Sequence, residues 1–193
     1  MEAKVLECPN CGRSLSPDMK KCPACDSEIL ITSFTSVYSM PMPSVNKYAN
    51  AYRKALAESP ENQSLNNAIA MCYLKLKLYD KAVPAFEKAM EDNFDNSETF
   101  FYAAVCLLKG KKAFLTPRAE INKIEEYINA ACTIEPKGYY YLFAAYIKKD
   151  YFERKFLQSI PKSGELLKKA QDYGCTETDK QQLFEIMGVT CPF

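Results

Sequence analysis

Four of this chain's nine cysteines are bunched near its beginning, and they have more chemistry to offer than any other residues in it. Cys8-Pro9-Asn10-Cys11-Gly12 is followed by Cys22-Pro23-Ala24-Cys25-Asp26, with ten residues between Cys11 and Cys22. Each C-x2-C pair forms a tight turn that aims two thiolates at one point. Two such turns complete a tetrahedron around a zinc ion, with Zn–S bonds of about 2.3 Å. Pro9 and Pro23 fix φ inside the turns, and Gly12 supplies a permissive conformation just after the first. The spacing therefore predicts one structural Zn2+ held by Cys8, Cys11, Cys22 and Cys25. The competing chemistries fit less well. Two disulfides need an oxidising compartment, and a redox C-x-x-C belongs at a helix start beside a βαβ pattern that this chain lacks. Iron–sulfur carriers generally space their cysteines differently. A segment this short and this poor in apolar residues needs the metal to fold; binding of about 10–16 kcal/mol would supply the missing stability.

The remaining residues exclude most other chemistry. Histidine is absent, which removes Ser-His-Asp and Cys-His nucleophiles, His-liganded metals and the commonest general base. There is no glycine-rich phosphate loop and no carboxylate cluster; Glu125-Glu126 and Lys148-Lys149 read as solvated faces. Cys72, Cys106, Cys132, Cys175 and Cys191 are scattered singly and read as small core hydrophobes, not nucleophiles. The expectation is a protein that is not an enzyme. The net charge of +1 provides no long-range pull toward nucleic acid or an anionic membrane. Residues 1–28 carry four basic and five acidic residues, and a zinc with four thiolates adds two more negative charges. That balance weighs against phosphate binding by the cysteine module. With no secretory signal and no apolar run of membrane-spanning length, the expected compartment is the cytoplasm, with no membrane partner.

The elements that must position these residues follow from composition and periodicity. Apolar residues make up 48% and charged residues 25% of the chain, enough material for a real core. Three segments are expected: a cysteine module over 1–30, an uncharged linker over 31–45, and a helical domain over 46–193. Ile29-Leu30-Ile31 reads as the last strand of the module. Pro41-Met42-Pro43 favours an extended linker, while Phe34, Val37, Tyr38, Met40 and Met42 are apolar enough for it to dock on the helical domain or to remain a free spacer.

From Asn46 onward, apolar and small residues recur at three- and four-residue intervals, with proline or glycine at the junctions. Ala55 recurs 34 residues later as Ala89, and Ala70 as Ala104. The clearest unit reads Asn66-x2-Ile69-Ala70-x2-Tyr73, then Tyr79, then Ala82-x3-Phe86-x2-Ala89. A half-unit precedes it in Tyr52-x2-Ala55-x4-Pro60. Phe100, Ala104 and Leu107 pair with Ile124, Ile128 and Ala131 in the next unit. Ala144 and Ala145 pair with Ser163, Leu167 and Ala170 in the last. Insertions fall at Gly110–Arg118 and around Tyr151–Lys162, and Asp179–Met187 reads as a capping helix.

The first 28 residues or so resemble the small zinc-ribbon modules found at protein termini. About 140 of the remaining residues resemble the tetratricopeptide family, with Asn66 in place of the family's tryptophan. The resemblances imply an all-α fold: a tetratricopeptide-like solenoid of α-hairpins in a right-handed superhelix, with a small β-type zinc ribbon at its N-terminus. They also imply a function, a non-enzymatic adaptor or scaffold that holds a protein or peptide, or a second copy of itself, on its concave face. The matching positions are Asn67, Met71, Phe101, Tyr102, Val105 and Tyr139. Only Asn67 suits a carboxylate clamp, so an aromatic groove is the expected binding surface. The alternative is a nucleic-acid-associated accessory factor that contacts DNA or RNA through the ribbon.

Overall fold

The computed structural model describes residues 5, 7–16, 19–91 and 93–193, and beyond the cysteine module all of its regular secondary structure is helical. The chain divides into two compact units, Met1–Phe94 and Asp95–Phe193.

The first unit begins with the cysteine module. Its described residues form no strand, only two isolated antiparallel bridges, Glu7 with Ser14 and Lys21 with Glu28. The expected strand at Ile29–Ile31 does not form: the chain bends at Ile29 and Leu30, Ile29 N donates to Lys20 O at 3.0 Å, and Ile29 O and Ile31 N are taken by the Tyr52 hydroxyl of the helix beneath. Four helices follow: α1 (Phe34–Tyr38), α2 (Met42–Glu58), α3 (Gln63–Lys75) and α4 (Tyr79–Met90). The extended linker predicted from Pro-x-Pro is not what forms. Pro43 instead sits in the first turn of α2, where the N–H it lacks would have had no intrahelical acceptor. Pro41 caps that helix, its carbonyl accepting from Ser44 N and Val45 N at 2.9 and 3.1 Å. The short helix α1 buries Phe34 and Val37, and Lys75 of α3 donates to the Tyr38 carbonyl at 2.8 Å.

The hairpin α3–α4 follows the repeat pattern. Ala68, Ala70, Cys72, Ala82 and Phe86 have no exposed surface, so small residues let the two helices close while Phe86 fills the gap between them. Asn62 caps α3 by accepting from Leu65 N at 3.0 Å. Asn66, in the position that the family fills with tryptophan, has a local task. Its buried amide donates to the carbonyls of Pro60 and Asn62 at 2.8 and 3.0 Å, tying off the preceding turn.

The second unit holds α5 (Ser97–Leu107), α6 (Arg118–Ile134), α7 (Gly138–Ile147), α8 (Ser163–Asp172) and α9 (Glu177–Met187). The hairpins α5–α6 and α7–α8 are those the periodicity predicts, and Ala104, Ile124, Ile128 and Ala131 are buried as expected. In the last hairpin Ala145, Ser163 and Ala170 are buried as expected, and the differences are single positions. Ala145 and Leu166 are buried, whereas Ala144 and Leu167 are only half-buried. The capping helix α9 starts with a capping box between Thr176 and Asp179 and stops at Gly188, whose φ of 67° suits glycine.

Candidate metal centre

The two C-x2-C turns are built alike. In the first, Cys8 N donates to Arg13 O at 2.8 Å and Gly12 N to Cys8 O at 2.9 Å. In the second, Cys22 N donates to Ser27 O at 2.9 Å and Asp26 N to Cys22 O at 2.8 Å. The residue after each second cysteine is left-handed: Gly12 with φ 76° and Asp26 with φ 53°. Glycine reaches that region without strain, and aspartate is among the few other residues that tolerate it.

The turns bring all four sulfurs together, each Sγ within 4.8 Å of the others. Two pairs that cross between the turns, Cys8 with Cys25 and Cys11 with Cys22, are both at 3.6 Å. A disulfide would hold sulfurs about 2.05 Å apart. A tetrahedral ion with 2.3 Å bonds spaces its ligands about 3.8 Å apart. The donor set therefore fits a thiophilic metal ion. Four thiolates this close repel one another, and a divalent cation is what allows all of them to ionise together.

Sequence reasoning missed the residues that orient the sulfurs. Asn10 Nδ2 donates to Ser27 Oγ at 2.8 Å, joining one turn to the other, and Ser27 Oγ lies 3.4 Å from Cys25 Sγ. With its oxygen engaged by Asn10, the Ser27 hydroxyl can turn its hydrogen toward a Cys25 thiolate. The Ser27 hydroxyl, and then its backbone, pull the Cys25 thiol down to about 6. Outer-shell partners of this kind fix ligand geometry. The available signal was positional: Ser27 stands two residues after Cys25, as Arg13 does after Cys11.

The module is seated on α2. Tyr52, fully buried, donates to Ile29 O at 3.0 Å and accepts from Ile31 N at 2.9 Å. Tyr48 donates to Glu28 O at 2.8 Å, and Lys47 reaches Asn10 O at 3.4 Å. Val5, Leu15, Ile29 and Ile31 are buried. A cleft of about 610 Å³ runs between the first turn and α2, bordered by Pro9, Asn10, Lys47, Ala51, Lys54 and Glu58.

The residues expected to line an open groove lie elsewhere. Asn67, Met71, Phe101, Tyr102 and Val105 are all buried, and Tyr139 is half-buried. In the second unit the reason is plain. Phe101 of α5 stacks on Tyr140 of α7 with centroids 4.6 Å apart, and meets Tyr102, Tyr139 and Phe143 edge-on at 5.0, 5.1 and 5.7 Å. These rings fill one another's space and form core. A polar network closes the edge of this cluster. Ser97 Oγ donates to Glu135 at 2.9 Å and lies 3.0 Å from the Tyr140 hydroxyl, and Lys137 pairs with Glu135 and Glu98. The lysine's hydrogen bond, and then that of Ser97, hold the Glu135 carboxyl below its ordinary range.

Among the described residues, no helix is long and apolar enough to cross a membrane. None of the curated proteins matches the chain at a significant level. Among solved structures, "MamA MSR-1 C2" is similar in fold, with a TM-score of 0.53 and 20% identity over 72% of this chain and 70% of that one. Residues 49–98 match the tetratricopeptide repeat family. The chain thus carries a tetratricopeptide-type helical repeat region behind an N-terminal four-cysteine module.

Proposed function

We propose that the chain is a non-enzymatic scaffold whose helical repeats bind a protein or peptide partner, or a second copy of itself. In this reading the N-terminal module is held together by one structural Zn2+ on Cys8, Cys11, Cys22 and Cys25. The observation that carries the first part is the tetratricopeptide match over residues 49–98, which falls on α2, α3 and α4 and runs into the start of α5. What supports the second is the approach of four sulfurs to the spacing of a tetrahedral site. Zinc, when bound, would neutralise the thiolates and lock the two turns; no reaction is assigned to it. The absence of histidine from the sequence favours scaffold over catalyst. We place the protein in the cytoplasm, where clustered thiols persist as metal ligands and do not pair into disulfides.

Two measurements test this reading. Elemental analysis should give one zinc per chain; a metal-free protein with disulfides at the four cysteines would refute the metal assignment. Cross-linking in the native host should join the helical region to one protein partner, or to another copy, in fixed ratio. A chain that stays monomeric and partnerless there would refute the scaffold assignment.

A further inference from the structure

The two insertions that interrupt the repeat pattern meet at one place in the second unit. The first, between α5 and α6, contains a 3-10 turn (Ala113–Leu115). The second continues α7 through a π-helical turn (Lys148–Phe152) and a 3-10 turn (Glu153–Lys155) into the loop before α8. Phe114 N donates to Asp150 Oδ2 at 2.9 Å and Ala113 N donates to the Tyr146 hydroxyl at 3.2 Å. Arg154 and Lys155 lie over the Phe114 ring at 4.3 and 5.0 Å. The loop is tied at its base, with Leu157 N donating to Phe152 O at 2.8 Å and Ser163 N to Glu153 at 3.1 Å.

What projects from this braced base is apolar. Phe156 is 95% exposed, Ile160 92%, Leu115 66% and Leu157 45%. Phe156 also holds a left-handed φ of 56°, an unfavourable conformation for a bulky aromatic residue. The surrounding charge is one-sided. Residues 109–118 and 148–162 together carry nine basic and two acidic side chains, and the two acids, Asp150 and Glu153, pair with Arg154 and Lys149. The chain's overall charge of +1 conceals this concentration.

We propose that this double loop is a foot that attaches the protein to the surface of an anionic membrane. Its apolar side chains stand out from the fold into solvent. A protein partner would have to provide a pocket for each of them, whereas a fluid acyl layer receives them in any arrangement. Phe156 and Ile160 enter the interface, and Lys111, Lys112, Arg118, Lys155 and Lys162 meet the lipid phosphates behind them. Apolar insertion and anionic attraction are the two signals that peripheral attachment combines.

The test is flotation of the full-length chain with vesicles of pure phosphatidylcholine and of phosphatidylcholine containing phosphatidylserine. The chain should bind the anionic vesicles, and the binding should weaken as salt is raised. Phe156→Asn with Ile160→Ser should reduce that binding about ten-fold or more, because two side chains lose an apolar destination. Asparagine tolerates the left-handed position, so this variant keeps its fold, which an unchanged circular dichroism melt will verify. Lys111→Glu with Lys112→Glu should give a loss of comparable order. Equal affinity for both vesicle types, no vesicle binding, or unaltered binding by both variants would overturn the proposal. So would a foot that binds an acidic helical peptide and ignores lipid.

Discussion

Tyr52 offers a sharp test of how the cysteine module is joined to the helices. Its ring is fully buried, and its hydroxyl both donates to Ile29 O and accepts from Ile31 N. Burial pushes its pKa well above the ordinary tyrosine value, so it is neutral throughout the working pH range. Tyr52→Phe keeps the ring and deletes only the bridge. Two buried backbone groups then lose their partner, and leaving such a group unsatisfied costs about 1–3 kcal/mol. Because the loosened chain can recover part of that through water, the expected destabilisation is about 2–3 kcal/mol. Tyr48→Phe is the internal control. It removes one bond, to Glu28 O, at a site that solvent can reach, and should cost about 0.5–1.5 kcal/mol. Urea unfolding of the zinc-loaded protein, followed by circular dichroism and by zinc release to a colorimetric chelator, reads both effects. The Tyr52 variant should release zinc at lower urea than the Tyr48 variant. Equal midpoints for the two variants and the parent would refute the argument that Tyr52 locks the module to α2.

Other perturbations probe other parts of the fold. Gly138→Ala should destabilise the second unit by about 1–3 kcal/mol, since a Cβ there would lie 2.5 Å from Cys175 N and 2.7 Å from Ala170 O, backbone atoms that cannot swing aside; thermal melting reads it, and a neutral result would mean that the α7–α8 packing is looser than described. Ala82→Leu, at a position with no exposed surface on α4, should overpack the first hairpin by a similar about 1–3 kcal/mol in the same assay. Zinc content measured after dialysis should fall as pH is lowered, because protons compete with the metal for the four thiolates. Cys22→Ser should abolish stoichiometric zinc and lower the urea midpoint of the helices; an unaltered helical midpoint would show that the module stands apart from them.

What the sequence made legible was whatever is dictated locally. Cysteine spacing sets turn geometry over four residues, and the left-handed residue after each pair completes it, so the convergence of Cys8, Cys11, Cys22 and Cys25 could be read directly. The hairpins were legible because a helix pair can close only where small residues recur, as Ala70 and Ala82 do. Distant contacts were not legible. The groove was inferred by placing Phe101, Tyr102 and Val105 on the first-helix face of α5, but α7 brings Tyr140 and Phe143 against Phe101, and the rings pack together. Nothing in the pattern of α5 alone shows that its neighbour brings aromatic side chains to that face. The Pro-x-Pro signal failed because proline, costly in most helix interiors, is well tolerated in a first turn, where Pro43 sits. The two insertions looked like separate surface loops, since the hydrogen bond from Phe114 to Asp150 spans 36 residues of sequence.

The seating of the module on α2 accounts for its position in the chain. A stack of hairpins ends in an exposed apolar helix face that has to be covered, and repeat proteins usually cover it with a polar-faced capping helix. Among the described residues, only the five-residue α1 precedes α2 where a full first helix of the half-unit would stand. In that place stand Ile29 and Ile31 from the module and Phe34 and Val37 from α1, all buried. The aromatic face of α2, Tyr48 and Tyr52, binds the departing backbone of the module through its hydroxyls and buries it with its rings. A capping segment of about thirty residues cannot build a core by itself at that size. Four sulfurs converging on one metal ion would replace that core. The cysteines and the tyrosines would then act together: a metal held by the four sulfurs would shape the module, and Tyr48 and Tyr52 hold it on α2.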